Sequence, residues 1–117
     1  MSSLQQSLFL SMSSIIYGGG GKLYAWGSGA NGRLGDSTAT SKSSPVRIGA
    51  LTTWSAVAGG GSHSLGIAGG KLYAWGNGSN GQLGDSTATS KSSPVHIGAL
   101  TTLSAVACGV YHSLGIL

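Results

Sequence analysis

Apolar and polar residues alternate over short stretches of this chain. Leu23 and Ala25 alternate with Tyr24 and Trp26, and a glycine-rich stretch follows at Gly27–Gly35. Alternation with a period of two residues, ended by glycine, is typical of a β-strand that runs into a turn. The same pattern predicts further strands of four to six residues around positions 46–48, 56–58 and 64–67. No stretch within 22–117 has the 3.6-residue period of a helix, so the pattern predicts an all-β fold.

These strands belong to a unit that occurs twice. Residues 22–68 align with residues 71–117 at a constant offset of 49, and 38 of the 47 aligned pairs are identical. Four short strands in about 50 residues correspond to one blade of a β-propeller. We therefore divide the chain into an N-terminal segment (1–21), a first blade repeat (22–70) and a second blade repeat (71–117).

The repeats also carry a family resemblance. The strings YAWGNGSNGQLGD, SSPVHIGAL and CGVYHSLGI, which begin at Tyr73, Ser92 and Cys108, resemble the repeat of the regulator of chromosome condensation family. This resemblance implies a β-propeller of four-stranded blades, usually seven in one chain. The family name also suggests guanine-nucleotide exchange on a small GTPase. This sequence departs from the family pattern because it holds only two repeats.

Two blades alone would leave two apolar faces and open strand edges in water. Identical two-blade chains can close a ring only with an even number of blades, because each chain adds two. We expect a homotrimer that forms a six-bladed propeller, with an eight-bladed tetramer as the second choice. A fragment of a longer propeller is the competing explanation.

The N-terminal segment allows two interpretations. Leu4, Leu8 and Met12 fall at helical spacing and would line one face of a short helix. At the 49-residue offset, the stretch before Lys22 instead resembles the decayed end of a blade. In either form the segment could dock the ring on a partner.

Composition and charge exclude several classes of function. Glycine (22) and serine (21) dominate the 117 residues, and the net charge of +4 comes from six basic residues spread singly along the chain. Nucleic-acid binding is not expected, because it usually requires clustered basic groups. No apolar stretch is long enough to span a membrane, and the N-terminus lacks the basic residues of a signal peptide. A single cysteine, Cys108, excludes a multi-cysteine zinc site.

The residue types of a hydrolase are present but repeated. His63 and His112 each precede a serine, and Asp36 and Asp85 occupy matched positions. An active site needs one unique arrangement, so we interpret all four residues as structural blade positions and expect no enzyme activity, no cofactor and no metal. Each aspartate precedes Ser-Thr and is expected to form an Asx-type turn.

The aromatic residues suggest packing and binding positions. Trp26 and Trp75 match each other and are expected to pack between blades. Trp54 differs from its counterpart, Leu103. With Arg47 and Tyr111, it is a candidate for a ligand or interface position, such as the rim of a carbohydrate-binding surface.

Three functions of different classes follow from these features. The first is a non-enzymatic structural or interaction propeller that assembles with itself and serves as a scaffold or attachment platform, with a virion or surface appendage as the expected location. The second is a carbohydrate-binding, lectin-like propeller. The third is nucleotide exchange, which rests on the family resemblance alone.

Overall fold

The computed structural model describes residues 21–117, so the expected N-terminal helix or strand lies outside the described residues. The fold is all-β, as predicted. Its strands are β1 (Tyr24–Gly27), β2 (Lys42–Arg47), β3 (Trp54–Gly59), β4 (His63–Ala68), β5 (Lys71–Gly76), β6 (Lys91–Ile97), β7 (Ala105–Cys108) and β8 (Ser113–Ile116). A single 3₁₀ turn, Ala30–Gly32, lies between β1 and β2.

The strands form three antiparallel sheets. The central sheet has four strands in the order β3-β4-β5-β6, and this confirms the predicted four-stranded blade. β1 pairs with β2 in a two-stranded sheet on one side, and β7 pairs with β8 in another on the other side.

The four-stranded sheet is out of phase with the sequence repeat. It takes β3 and β4 from the first repeat and β5 and β6 from the second. The connection across the boundary is the two-residue turn Gly69–Gly70, with φ angles of 59° and 77°. Positive φ at both central residues is what the tight type I′ hairpin turn requires. As a result, β1–β2 corresponds to the β5–β6 half of the central sheet, and β7–β8 corresponds to its β3–β4 half. We call β1–β2 and β7–β8 the two half-blades.

Two strands are longer than the sequence pattern predicts. β2 and β6 include Pro45 and Pro94, whereas we expected the strand to begin after the proline. Proline lacks the N–H group that a central strand must donate, but an edge strand tolerates it. β6 lies at the edge of the central sheet, and β2 pairs only with β1.

The three sheets are stacked face to face through two apolar clusters. One lies between β1–β2 and the central sheet and contains Leu23, Ile48, Trp54, Ala68 and Trp75. The other is formed by Leu65, Ala74 and Leu83, against which Val106 and Cys108 pack from β7. The central sheet is therefore covered on both faces, whereas each half-blade is covered on one. Within residues 21–117, no helix is long and apolar enough to cross a membrane.

Candidate interaction surface

The contact between the central sheet and β7–β8 shows how neighbouring blades are joined. Ser113 Oγ donates a hydrogen bond to the carbonyl oxygen of Gln82 at 2.7 Å, and His63 Nε2 lies 2.8 Å from the same Oγ. Because the one hydroxyl hydrogen of Ser113 goes to a carbonyl that can only accept, Nε2 of His63 must be the donor. A histidine of one sheet is thus linked to a serine of the next.

The first repeat holds the same serine contact without the histidine. Ser64 Oγ donates to the carbonyl oxygen of Arg33 at 2.8 Å, as Ser113 does to Gln82. His63 bonds to Ser113 of the sheet that follows it. A histidine that bonds to Ser64 in the same way would therefore come from a blade that precedes β1–β2. Residues 21–117 contain no such blade.

The β8 end exposes residues whose counterparts are buried. Leu114 and Ile116 are 64% and 63% exposed, whereas Leu65 and Ile67, at the same positions of β4, are 2% and 1% exposed. Leu65 is buried with Ala74 of β5 in the cluster against which Val106 and Cys108 pack, and β5 pairs with β4 along its whole length. Within the described part of the chain, the corresponding edge of β8 is unpaired.

The β1 end shows the same contrast when β1 is compared with β5, the strand that pairs with β4. Trp26 is 60% exposed, and its counterpart in β5, Trp75, is 3% exposed. Trp75 is buried because it packs in the cluster of Leu23, Ile48 and Trp54. Trp26 has no such cluster beside it among residues 21–117.

A cleft of about 340 Å³ lies at the β8 end of the molecule. Leu72, Ile97, Gly84 and Gly115 are among its lining residues. Their counterparts in the first repeat are Leu23, Ile48, Gly35 and Gly66. Leu23 and Ile48 belong to the apolar cluster of Trp75, and a Cβ added to Gly35 or Gly66 would lie 2.8 or 3.3 Å from its ring. The cleft is therefore the equivalent, at the chain's end, of the space that a tryptophan fills in its interior.

His63 is the buried titratable group of the blade interface. Its side chain is almost fully buried, and Nδ1 has no hydrogen-bond partner. Burial lowers the pKa of His63 from its usual 6.5. A hydrogen bond to the backbone of His112 opposes this shift in the pKa, and charge repulsion from His112 adds a smaller lowering effect. No carboxylate orients the imidazole, since Asp36 and Asp85 are engaged elsewhere. The His–Ser pair therefore lacks the third member of a triad.

Both aspartates stabilise surface turns. Asp36 accepts hydrogen bonds from the N–H and hydroxyl of Thr38 and pairs with Lys42, and Asp85 does the same with Thr87 and Lys91. The hydrogen bond from Lys42, followed by that from Thr38, lowers the pKa of Asp36 to about 2. Among residues 21–117, no three His, Cys, Asp or Glu side chains come together as a metal site.

The three candidate ligand residues do not share one surface. Trp54 is buried at 1% exposure, with its ring edge-on to Tyr73 and Trp75 at centroid distances of 5.3 and 5.8 Å. Tyr111 is exposed and lines the 340 Å³ cleft, whereas Arg47 lines a separate groove beside Ser93 and Pro94. The structure therefore gives no common binding face to these three side chains.

Sequence reasoning predicted open strand edges but did not identify them as β1 and β8. The signal was present in the sequence: Gly69–Gly70 joins two alternating stretches, which is a strong indication of a tight hairpin. That hairpin fixes β4 beside β5 and so leaves their counterparts, β8 and β1, at opposite ends of the chain.

Comparison with known proteins identifies the repeat. The sequence profile of the regulator of chromosome condensation (RCC1) repeat matches residues 20–67 and 69–116. A comparison of the sequence with curated proteins finds no match.

Solved structures share the fold. Human WBSCR16 is 26% identical with a TM-score of 0.72, and the match covers 88% of this chain and 28% of that protein. Prp20p from Saccharomyces cerevisiae, studied for its binding to Gsp1p and histones, is 21% identical with a TM-score of 0.73 over 86% of this chain and 28% of its own. Yeast RCC1 (Prp20) bound to Kap60 is 23% identical with a TM-score of 0.71, over 81% of this chain and 26% of its own. The chain thus spans little more than a quarter of each of these proteins.

Proposed function

Because the chain belongs to the regulator of chromosome condensation (RCC1) repeat family, we propose that it is an interaction module that builds a closed β-propeller from several copies of itself. The ring serves as a rigid platform to which other proteins attach. No chemical step is assigned to it, because His63 and Ser113 are used in a contact between blades.

One observation carries this proposal. Apolar residues are exposed at both ends of the stack of sheets, whereas the equivalent residues of the other repeat are buried inside it. Trp26, which is exposed, and Trp75, which is buried, illustrate this contrast. Large exposed apolar surface on an otherwise ordinary domain marks a site of protein association. Since the two ends are different halves of one blade, they suit a head-to-tail contact, which closes into a ring when the rotation permits.

The number of copies follows from the number of blades. Each chain supplies one complete blade and two halves, so a closed ring holds two blades per copy. We propose three copies and six blades, with four copies and eight blades as the alternative. The location on a virion or surface appendage stays part of this proposal.

Light scattering coupled to size-exclusion chromatography tests the assembly. We expect a single species with three times the 11.5 kDa mass of the chain. A folded species of 11.5 kDa at micromolar concentration would overturn the proposal. A mass four times that of the chain would support the ring but correct its size.

A second candidate function is nucleotide exchange on a small GTPase. It is favoured by the similarity in fold to Prp20p, whose structure was described together with its binding to Gsp1p. The assembled protein would then accelerate release of a fluorescent guanine nucleotide from a small GTPase. We expect no acceleration, and a clear increase in the release rate would replace the platform with exchange activity.

A further inference from the structure

We infer that β8 of one chain pairs with β1 of a second copy, so that the two half-blades form one composite four-stranded blade. This inference rests on the proposed ring and specifies the contact that closes it. A neighbouring copy of the chain occupies each open end, and β1–β2 of the copy at the β8 end covers β8 and the cleft beside it.

The register comes from the hairpin inside the chain. In the β4–β5 pair, Ser64 lies opposite Trp75 and Leu65 opposite Ala74. β8 repeats the HSLGI sequence of β4, and β1 repeats the KLYAWG sequence of β5. Moving each pair of that hairpin by one repeat places Ser113 opposite Trp26, Leu114 opposite Ala25, Gly115 opposite Tyr24 and Ile116 opposite Leu23 of the second copy.

The cleft receives the tryptophan that the second copy brings. In the first repeat, an added Cβ on Gly35 would lie 2.8 Å from Trp75 Nε1, so the indole is packed directly on that glycine. The corresponding glycine, Gly84, lines the open cleft. Trp26 of the second copy, exposed on its own chain, enters the cleft and packs on Gly84 as Trp75 packs on Gly35.

Two sequence differences preserve the volume of a core at this junction. Trp54 and Ala68 are opposite each other in the β3–β4 pair, one large and one small. Their counterparts are Leu103 and Leu117, two residues of medium size. A paired exchange that keeps the combined side-chain volume is the kind that a packed core tolerates best. An exposed site would require no such match, and Leu117 is 64% exposed in the single chain.

Polar contacts complete the junction. His112 of the first copy corresponds to His63, so its Nε2 donates to Ser64 of the second copy, whose Oγ already donates to the carbonyl of Arg33. The backbone N–H of Ser37 donates to the carbonyl of Ser92 at 2.8 Å, and Ser86 makes the equivalent bond to Ser43 of the second copy.

The sequence favours a second copy over the chain's own N-terminal segment as the partner of β1. Residues 14–18 correspond to HSLGI (63–67) at the 49-residue offset, but they read SIIYG and match it at none of the five positions. β8 matches all five. The segment before β1 is therefore a poor substitute for β4.

Disulfide trapping tests the pairing and its register. Ala25→Cys and Leu114→Cys are made in separate chains, each also carrying Cys108→Ala, and the two proteins are mixed, dissociated, reassembled and oxidised. Leu65 and Ala74 each lie four residues from the two-residue turn Gly69–Gly70, three pairs beyond the closing pair of Ala68 and Lys71. This position makes them a pair without mutual hydrogen bonds, with Cα atoms about 4.5 Å apart. This separation suits a disulfide. We expect a covalent dimer in the mixture and none in either protein alone.

The controls separate register from proximity. Ser113→Cys mixed with Ala25→Cys is shifted by one residue and places the thiols on opposite faces of the sheet, so we expect no cross-link. Cross-linking of Leu114→Cys with itself would show a symmetric contact between two β8 strands and overturn the proposal. Cross-linking that appears only after residues 1–20 are deleted would assign β1 to that segment instead.

Surface variants distinguish this inference from the ring itself. Leu114→Asp places a charge in the proposed core, and we expect loss of the trimer mass. Leu51→Asp is the matched control, because Leu51 and its counterpart Leu100 are exposed in both repeats, and it leaves the mass unchanged. If the wild-type protein has the mass of a ring but Ala25→Cys and Leu114→Cys form no cross-link, the strand pairing is refuted and the proposed function stands. A wild-type monomer would refute both.

Discussion

At the residue scale, the interface between blades depends on a histidine that the fold keeps neutral. His63 is buried and donates through Nε2 to Ser113, and its Nδ1 has no hydrogen-bond partner. Burial without a counter-charge disfavours the charged form. We therefore expect acid to weaken the interface between blades at His63.

The first prediction concerns the pH dependence of stability. The pKa of His63 is lower in the folded chain than the 6.5 of the unfolded chain, so the unfolded chain takes up a proton first as the pH falls. Stability is therefore complete above pH 6.5 and decreases below it. We expect the urea midpoint to fall between pH 7.5 and 5, at constant protein concentration.

His63→Gln removes the titrating group but retains a donor. We expect this variant to be less stable at pH 7.5 and to lose the part of the pH dependence that His63 contributes. His96→Gln is the control, because His96 is an exposed residue of β6. An unchanged pH profile in His63→Gln would show that another group causes it.

The second prediction concerns the thiol of Cys108. Burial raises its pKa from 9.0 to about 11, and its Sγ lies 3.5 Å from the carbonyl oxygen of Ala58. At pH 8 this reduces the thiolate fraction by roughly a hundredfold. We expect slow alkylation by iodoacetamide, followed by mass spectrometry, and fast alkylation in urea. Equal rates in both conditions would contradict the buried position of the thiol.

At the element scale, the turn Gly69–Gly70 decides which strands share a sheet. Both residues have positive φ, and a Cβ on Gly70 would overlap the carbonyl oxygen of Thr101. A Cβ on Gly69 would have only Thr53 Oγ1, 4.0 Å away, as a neighbour. A side chain at either position would therefore strain the backbone of the turn, but only a side chain at position 70 would also clash with a neighbouring residue.

The third prediction compares alanine at these two glycines. Gly69→Ala pays the cost of left-handed backbone, about 1–2 kcal/mol. Gly70→Ala adds a steric overlap of about 1–3 kcal/mol. We expect a lower urea midpoint for Gly70→Ala than for Gly69→Ala, measured by circular dichroism. Equal midpoints would show that Thr101 moves away without cost.

The sequence predicted the strands but not how they share sheets. Period-two alternation identifies strands such as β4, since every second side chain faces a core. It does not say which strand lies beside it, and the repeat can be cut into blades at several points. The burial of Trp54 was not foreseen because its partner, Ala68, is distant in sequence and is revealed only by the register of β3 and β4.

At the scale of the whole molecule, the chain holds two blades' worth of strands but only one finished blade. Its two ends are complementary half-blades: β7–β8 of one chain and β1–β2 of another together hold the four strands of one blade. This arrangement makes each junction in the proposed ring use strands of two chains. Assembly and folding are then coupled, and stability should depend on protein concentration.

The last prediction joins copies covalently. In a tandem fusion of residues 20–117, each junction reads Leu117-Gly20-Gly21-Lys22, which reproduces the Ala68-Gly69-Gly70-Lys71 turn between β4 and β5. If six blades close the ring, a fusion of three units closes on itself. We expect it to have the mass of one fused chain and a thermal midpoint independent of concentration, whereas the midpoint of the single chain rises with concentration. The fusion of two units is the matched control: its four blades cannot complete a six-bladed ring alone or in pairs, so it forms larger or mixed species. A two-unit fusion that pairs into a uniform dimer, together with a three-unit fusion that does not remain single, would instead establish a ring of eight blades.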